Sequence, residues 1–408
     1  VKVSSPDPTG TTYDDTSASN AVLYTFWVKT KGASGTTSAF STSDTGWRNV
    51  AAPEPQATKG LRGEVWVQWE ASAGATEYEL WRNQLAEIGS ASLLTNSAAT
   101  EYRDLDVTPM AVYYYWVKAV CDLGAGEYGG PDAGWPRGRK WDFNGDGRAN
   151  VWYYHQGNGR WYVMMDVMNT TVLGYGDMLA APEDYDGDGK TDPAVYGETT
   201  GTWLVMLSGS GYAVASVSGF GSSGYTAAAG DYDGDGKADP AVYAETTGTW
   251  KVWMSGSGYA IATATGFGAP GYRAAAEDYD GDGKTDPAVY EETSGNWFIM
   301  LSGSGYSISY DNFGASGYAP VPGGYHGLGY AQIAVYHETT GNWFIRTGPE
   351  DYEIINFGEM GYAPVPADYD GDGYEDEGVF NRSRYDALWY LWMSTEGFDM
   401  ISGRNSRP

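Results

Sequence analysis

The sequence is poor in cysteine, histidine and positive charge. Its 408 residues include one cysteine, three histidines, and 24 Lys+Arg against 53 Asp+Glu, a formal net charge of −29. A single cysteine, Cys121, excludes a disulfide within the chain. Its neighbours Ala119, Val120 and Asp122 offer nothing that depresses a thiol pKa, so a small buried thiol is expected. The shortage of Lys and Arg argues against nucleic acid, whose phosphates require a basic surface. It argues equally against anionic membrane. There is no run of ~18 apolar residues to span a bilayer, and no helical period of 3.6 extends over ten or more residues. The chain opens at Val1 rather than Met and shows no signal peptide, which reads as a processed piece of a longer protein. Glycine and aromatics are abundant: 58 Gly, 34 Tyr, 17 Trp and 11 Phe. Glycine is about twice its usual ~7%. A hydrophobic content of 42% suits a large core rather than disorder.

Self-comparison organises the chain. The nonapeptide DYDGDGKTD at Asp184 to Asp192 returns at Asp278 to Asp286 and, with Ala238 in place of the threonine, at Asp231 to Asp239. Looser copies run from Asp142 to Asn150 (DFNGDGRAN) and from Asp368 to Asp376 (DYDGDGYED). A copy without carboxylates runs from Gly324 to Gln332 (GYHGLGYAQ). Successive starts lie 42, 47, 47, 46 and 44 residues apart, giving six units of about 45 residues. Each typical unit continues with a Pro-Ala-Val-Tyr segment (Pro193 to Tyr196), a Thr-Thr-Gly turn and an apolar run from Trp203 to Leu207. A Ser-Gly-Ser-Gly turn (Ser208 to Gly211) and a Phe-Gly pair (Phe220, Gly221) follow. Short runs rich in Val, Tyr, Trp and Thr, broken by glycine turns, predict four antiparallel strands per unit. Six such units predict a six-bladed β-propeller over residues 137–408, in an all-β chain.

Residues 51–136 alternate differently. Val65, Val67 and Trp69 share one face, Tyr78 follows, and Tyr113, Tyr115, Val117 and Ala119 recur at period two. With Asp104 and Leu105 before the late strands, this segment resembles a fibronectin type III β-sandwich. Residues 1–50 repeat its second half. Thr12, Tyr13, Asp14 and Asp15 match Glu101, Tyr102, Arg103 and Asp104, and the run from Tyr24 to Lys29 matches Tyr113 to Lys118. Gly46 and Trp47 match Gly134 and Trp135. The first module is therefore expected to be partial, with half a core open to completion by upstream residues or another chain.

The acidic loops carry the chemistry. Oxygen ligands fall at positions 1, 3, 5 and 9, with a backbone carbonyl at position 7, and glycine at 4 and 6 lets the chain wrap a small ion. Hard oxygens in such a ring suit Ca²⁺ rather than a transition metal. The expected ligand sets are Asp142, Asn144, Asp146, Arg148 and Asn150; Asp184, Asp186, Asp188, Lys190 and Asp192; Asp231, Asp233, Asp235, Lys237 and Asp239; Asp278, Asp280, Asp282, Lys284 and Asp286; and Asp368, Asp370, Asp372, Tyr374 and Asp376. Arg148, Lys190, Lys237, Lys284 and Tyr374 would contribute their carbonyls. The position-12 Glu of an EF-hand is missing (Val195, Val242, Val289) and a strand follows, so each is a calcium loop in a hairpin. Eighteen aspartates crowd five loops, and unscreened carboxylates at such spacing repel. Five Ca²⁺ would take −29 to −19. The first loop, with two carboxylates, should bind weakest, and the Gly324 loop should bind nothing.

These loops, with Phe220, Phe267, Phe313 and Phe357 each preceding glycine and the Gly268-Ala269-Pro270 turn, resemble the FG-GAP repeat family, integrin α-like and also called VCBS. The resemblance implies a calcium loop between the first and second strands of each blade, structural calcium, and an extracellular role in adhesion, ligand binding or scaffolding. The recurring Trp161, Trp203, Trp250, Trp297, Trp343 and Trp389 are expected in the inter-blade core. Tyr212, Tyr259 and Tyr306, and Tyr225, Tyr272, Tyr318 and Tyr362, could pack between blades or meet glycan. Glu198, Glu245, Glu292 and Glu338 recur too often for a catalytic pair and are expected to anchor hairpins. His155, His326 and His337 form no cluster by spacing. No nucleophile–base pair is legible. The expectation is a non-enzymatic, secreted or surface calcium-binding scaffold or adhesion protein. Its partner would be a protein, including a second copy in head-to-tail filaments, or a glycan; the alternative is a carbohydrate-binding module of a polysaccharide-degrading system. Neither nucleic acid nor membrane insertion is expected.

Overall fold

A computed structural model describes residues 15–108, 111–164, 168–381, 388–394 and 400–404. Thr12, Tyr13 and Asp14 lie outside the described residues. The described chain is all β, interrupted only by three short 3-10 turns. No helix among these residues is long and apolar enough to cross a membrane. The chain divides into two compact units: Val1–Ala57, Val67–Arg103 and Val112–Gly134 form the smaller, and Thr58–Trp66, Asp104–Ala111 and Trp135–Pro408 the larger.

The smaller unit holds most of two sheets. Gln56–Ala57, Val65–Gln68 and Glu101–Asp104 form a three-stranded sheet, and Glu77–Asn83, Ser92–Ser97, Tyr113–Cys121 and Gly124–Arg137 contribute to a five-stranded one. The period-two residues point inward: Val67, Trp69, Tyr78, Leu80, Tyr115, Val117 and Ala119 are all buried. Trp69 and Tyr78 meet edge to face at 5.7 Å, a geometry favoured by the ring quadrupoles. Cys121 is buried and its thiol lies 3.1 Å from the Gly124 carbonyl. The segment from Asp15 to about residue 50 forms only a two-stranded sheet, Leu23–Phe26 with Asp44–Trp47. Leu23, Trp27, Val28, Phe40 and Trp47 are exposed there.

The larger unit contains six small antiparallel sheets in chain order. The second is representative: Met178–Ala180, Ala194–Gly197, Thr202–Leu207 and Ala213–Val217 follow one another as a meander. The first sheet departs from the four-strand expectation. It has three strands, Trp152–His155, Arg160–Met164 and Met168–Val172. Residues Trp135–Arg137, which occupy the place of its first strand in the repeat, pair in parallel with Lys59–Arg62 instead.

Consecutive sheets share their cores. Trp203, Tyr196 and Phe220 of the second sheet pack with Val242 and Ala238 of the third. Trp250 and Tyr243 of the third pack with Val289 of the fourth, and Trp297 of the fourth with Val335 of the fifth. The sixth sheet returns to the first: Tyr369 and Leu391 pack with Ala149, and the rings of Tyr153 and Phe380 lie 5.8 Å apart. Five of the six recurring tryptophans are at most 1% exposed, and Trp389 is 5% exposed.

The acidic loops form a second cycle above this packing. Position 8 of each loop donates its N–H to the position-1 carbonyl of the preceding loop. Thr191 donates to Asp142 (2.7 Å), Ala238 to Asp184 (2.6 Å), Thr285 to Asp231 (2.6 Å), Ala331 to Asp278 (2.6 Å) and Glu375 to Gly324 (3.3 Å). Ala149 of the first loop donates to Asp368 of the last (2.7 Å), closing six bonds on themselves. The carboxylate-free Gly324 loop keeps its place in the cycle. Truncating one shared tryptophan leaves a cavity that neighbours on both sides cannot fill. Trp297→Ala is expected to cost about 3–5 kcal/mol, read as a lowered denaturant midpoint with an unchanged slope.

Candidate metal centres

Each loop is built around its first aspartate. In the second loop Asp184 accepts the N–H of Gly187 at 2.7 Å on one oxygen and that of Gly189 at 2.9 Å on the other. The pattern recurs at Asp142, Asp231, Asp278 and Asp368. Both glycines have positive φ, +77° and +88° in this loop, where a Cβ would be strained. The position-9 aspartate closes the base. Asp192 accepts the Tyr185 N–H at 3.0 Å, and the Tyr185 hydroxyl donates to the Ala181 carbonyl. The same tyrosine clamp recurs at Tyr232, Tyr279, Tyr325 and Tyr369.

These contacts bring the carboxylates together. Asp184, Asp186 and Asp192 each present an oxygen, all within 4.8 Å of one another. So do Asp231, Asp233 and Asp239, and Asp368, Asp370 and Asp376. In the fourth loop the triplet is Asp278, Asp280 and Asp282, with Asp286 outside it. Asp188, Asp235 and Asp372, at position 5, lie outside their loops' triplets. In the first loop Asp142 and Asp146 are joined by Asn144, whose amide donates to Asp146 at 2.8 Å. Asn150 holds the place of the closing aspartate and accepts the Phe143 N–H at 2.8 Å.

The position-7 residues have a role beyond the carbonyl assigned to them. The side chain of Lys190 covers Gly145 of the preceding loop, Lys237 covers Gly187 and Lys284 covers Gly234. Tyr374 covers Gly327, and Arg148 covers Gly371. A Cβ at any of these glycines would meet the neighbour's side chain, so position 4 is glycine for packing as well as for φ.

The Ser-Gly turns, expected only as hairpin turns, also bond the acidic loops. Ser208 donates its N–H to Asp192 at 2.7 Å and its hydroxyl to Asp188 at 2.9 Å, while the Gly209 N–H reaches Asp186 at 3.0 Å. Ser255 and Gly256 do the same in the third loop, Ser302 and Gly303 in the fourth, and Ser394 in the sixth. The turn thus holds the outer carboxylates against their mutual repulsion. A fixed interval carries the signal: serine stands 16 residues after the closing aspartate in three units.

The Gly324 loop replaces carboxylates by neutral bonds. Gln332 accepts the His326 N–H at 2.9 Å and donates to the Arg346 carbonyl at 2.6 Å. The His326 ring reaches Glu353 at 2.9 Å. Of the recurring glutamates, Glu245 accepts the Gly271 N–H at 2.7 Å, and Glu292 pairs with Arg273. Both contacts anchor hairpins. Tyr212, Tyr259 and Tyr306 are about half exposed.

Burial raises the loop carboxylates. Asp184, Asp239 and Asp376 are pushed up to about 7 and Asp192 to about 6. Desolvation dominates, backbone N–H bonds oppose it, and neighbouring carboxylates add to it. Asp142, Asp286 and Asp372 move the same way. A folded-state pKa above the unfolded ~3.9 means that the native state holds more protons between about pH 4 and 7, so stability without metal falls as pH rises through that window. Protein in chelator is expected to melt roughly 5 °C or more higher at pH 5 than at pH 8. Saturating Ca²⁺ should reverse the order, because protons compete for the same oxygens; calorimetric scans at the two pH values check both signs.

The FG-GAP-like repeat family matches residues 184–242, which span the second and third acidic loops. No curated protein sequence matches the chain. Among solved structures, an Agrocybe aegerita lectin, described as recognising non-reducing terminal N-acetylglucosamine, is similar at 11% identity and a TM-score of 0.42, over 83% of this chain and 91% of its own. An auxiliary nutrient binding protein from Bacteroides thetaiotaomicron aligns at 10% identity and a TM-score of 0.36, over 86% of this chain and 85% of its own. A Fn3-like protein from Clostridium thermocellum aligns at 22% identity and a TM-score of 0.20, over 22% of this chain and 97% of its own.

Proposed function

We propose that the larger unit is a six-bladed β-propeller of FG-GAP type whose acidic loops bind Ca²⁺ as structural ions, in a non-catalytic, extracellular scaffold or adhesion protein. The reading takes residues 137–408 as the propeller, 51–136 as a fibronectin type III-like module and 1–50 as part of another. One observation carries it: aspartate triplets, each including the first and third loop positions, recur in four loops of a closed cycle of six backbone bonds. Each triplet concentrates negative charge at a point of that cycle. A divalent ion there turns repulsion into cross-linking, in a chain with no disulfide to do so. Extracellular Ca²⁺ is millimolar, enough to fill sites with dissociation constants of roughly 10⁻⁴–10⁻³ M. The exposed Trp27, Phe40 and Trp47 support a protein partner, including a second copy joined head to tail.

A second reading is glycan binding. Tyr212, Tyr259 and Tyr306 hold left-handed backbone, with φ of 64°, 65° and 63°. Bulky residues rarely adopt that conformation, and such strain concentrates at functional positions. A glycan array with no hits removes this reading.

Titration calorimetry tests the calcium reading. Ca²⁺ is expected to bind at four sites with a weaker fifth, and its removal to lower the melting temperature. Asp231→Asn with Asp239→Asn should abolish one site, while Gln332→Ala should leave the stoichiometry unchanged. Absence of saturable heat up to about 10 mM Ca²⁺, well above that affinity range, contradicts the reading.

A further inference from the structure

Residues Thr58–Trp66 belong to the larger unit, although the chain on both sides of them belongs to the smaller. The segment is closely fitted. Gly60, at φ +81°, leaves 3.2 Å between a would-be Cβ and the carbonyl oxygen of Gly283 in the fourth loop. The Gly63 carbonyl accepts from Arg139 at 3.5 Å. The Trp66 ring covers Gly329 of the fifth loop.

Arg62 is the charged centre of the segment. It meets Glu183 at 3.4 Å. Burial pushes its pKa down, but Glu183, Glu277 and Glu375 more than offset this and hold the guanidinium charged. Lys140 pairs with Glu277 at 3.5 Å and also lies in the field of Glu375. Two cations thus share three partly buried glutamates. Without Arg62, Lys140 would face all three alone, and an uncompensated buried charge is strongly unfavourable.

The three glutamates occupy particular places. Glu183 directly precedes Asp184, Glu277 precedes Asp278, and Glu375 precedes Asp376. Their backbones are bonded into the loops: Asp192 donates to the Glu183 carbonyl at 2.8 Å, and Asp286 to the Glu277 carbonyl at 2.7 Å. Glu375 itself supplies one of the six bonds of the cycle. A shift of any of these glutamates moves a carboxylate of the second, fourth or sixth loop.

We propose that Thr58–Trp66 is a latch seated by Arg62, and that its seating is linked to cation occupancy of the second, fourth and sixth loops. The proposal rests on the calcium reading above. A bound ion fixes the loop base and with it the glutamate that Arg62 holds. By reciprocity, the seated latch strengthens ion binding by the same factor. Direct repulsion between ion and guanidinium would give the opposite sign, so the sign decides.

Hydrogen exchange of the full chain in millimolar Ca²⁺ and in chelator provides the test, with calorimetry on the same samples. Amides of residues 59–66 are expected to exchange at least ~10-fold faster in chelator, while the tryptophan strands stay protected. Arg62→Met should bind Ca²⁺ about 5-fold or more weakly and show the fast exchange even with Ca²⁺ present. Calcium heat accompanied by unchanged or slower exchange of the segment in chelator overturns the latch and leaves the calcium reading standing. No calcium heat at all removes both. If Arg62→Met does not fold, the wild-type comparison decides alone.

Discussion

Repulsion among buried carboxylates is the constraint on which the larger unit depends. The loops that link sheet to sheet are also the loops in which aspartates are packed within 4.8 Å of one another. In four of the six loops the backbone bonds of the closed cycle hold that charge in place. Every device around the loops addresses this: glycine N–H groups on the first aspartate, the tyrosine N–H on the ninth, and the serine turn over the third and fifth. Backbone donors lower the carboxylate pKa values, yet burial still leaves several near neutrality. Hydrogen bonds therefore compensate part of the charge, and a divalent ion would compensate the rest.

The fifth loop provides an internal comparison. It keeps the tyrosine clamp and the position-8 bond while replacing every carboxylate, and Gln332 with His326 fills the loop base with neutral bonds. The frame of the loop and its charge are therefore separable. The frame joins the sheets; under the calcium proposal the aspartates would make the joint responsive to cations.

Much of this was legible from the amino acids alone. Strand positions follow from the repeat, since six copies of one pattern average out the ambiguity of any single short strand. The tryptophans were legible because a large apolar residue recurring at one place in every unit has to be buried somewhere equivalent. The missing first strand of the first sheet was not legible: whether Trp135–Arg137 pairs within its own unit or with Lys59–Arg62 depends on a competitor more than 70 residues away. Arg62 was illegible for the same reason, because nothing local distinguishes it from any other arginine at the end of a short strand. The covering role of Lys190 and its equivalents was hidden because it acts between units, while the motif is read within one.

The central claim is that cations sit among the aspartates of these loops. The most direct measurement is an anomalous difference map from crystals grown with a lanthanide in place of Ca²⁺. The account predicts strong peaks between the first, third, fifth and ninth positions of the second, third, fourth and sixth loops, a weaker one in the first, and none at Gly324–Gln332. A map without peaks in the four aspartate-rich loops, or with density only on the outer surface, would contradict it.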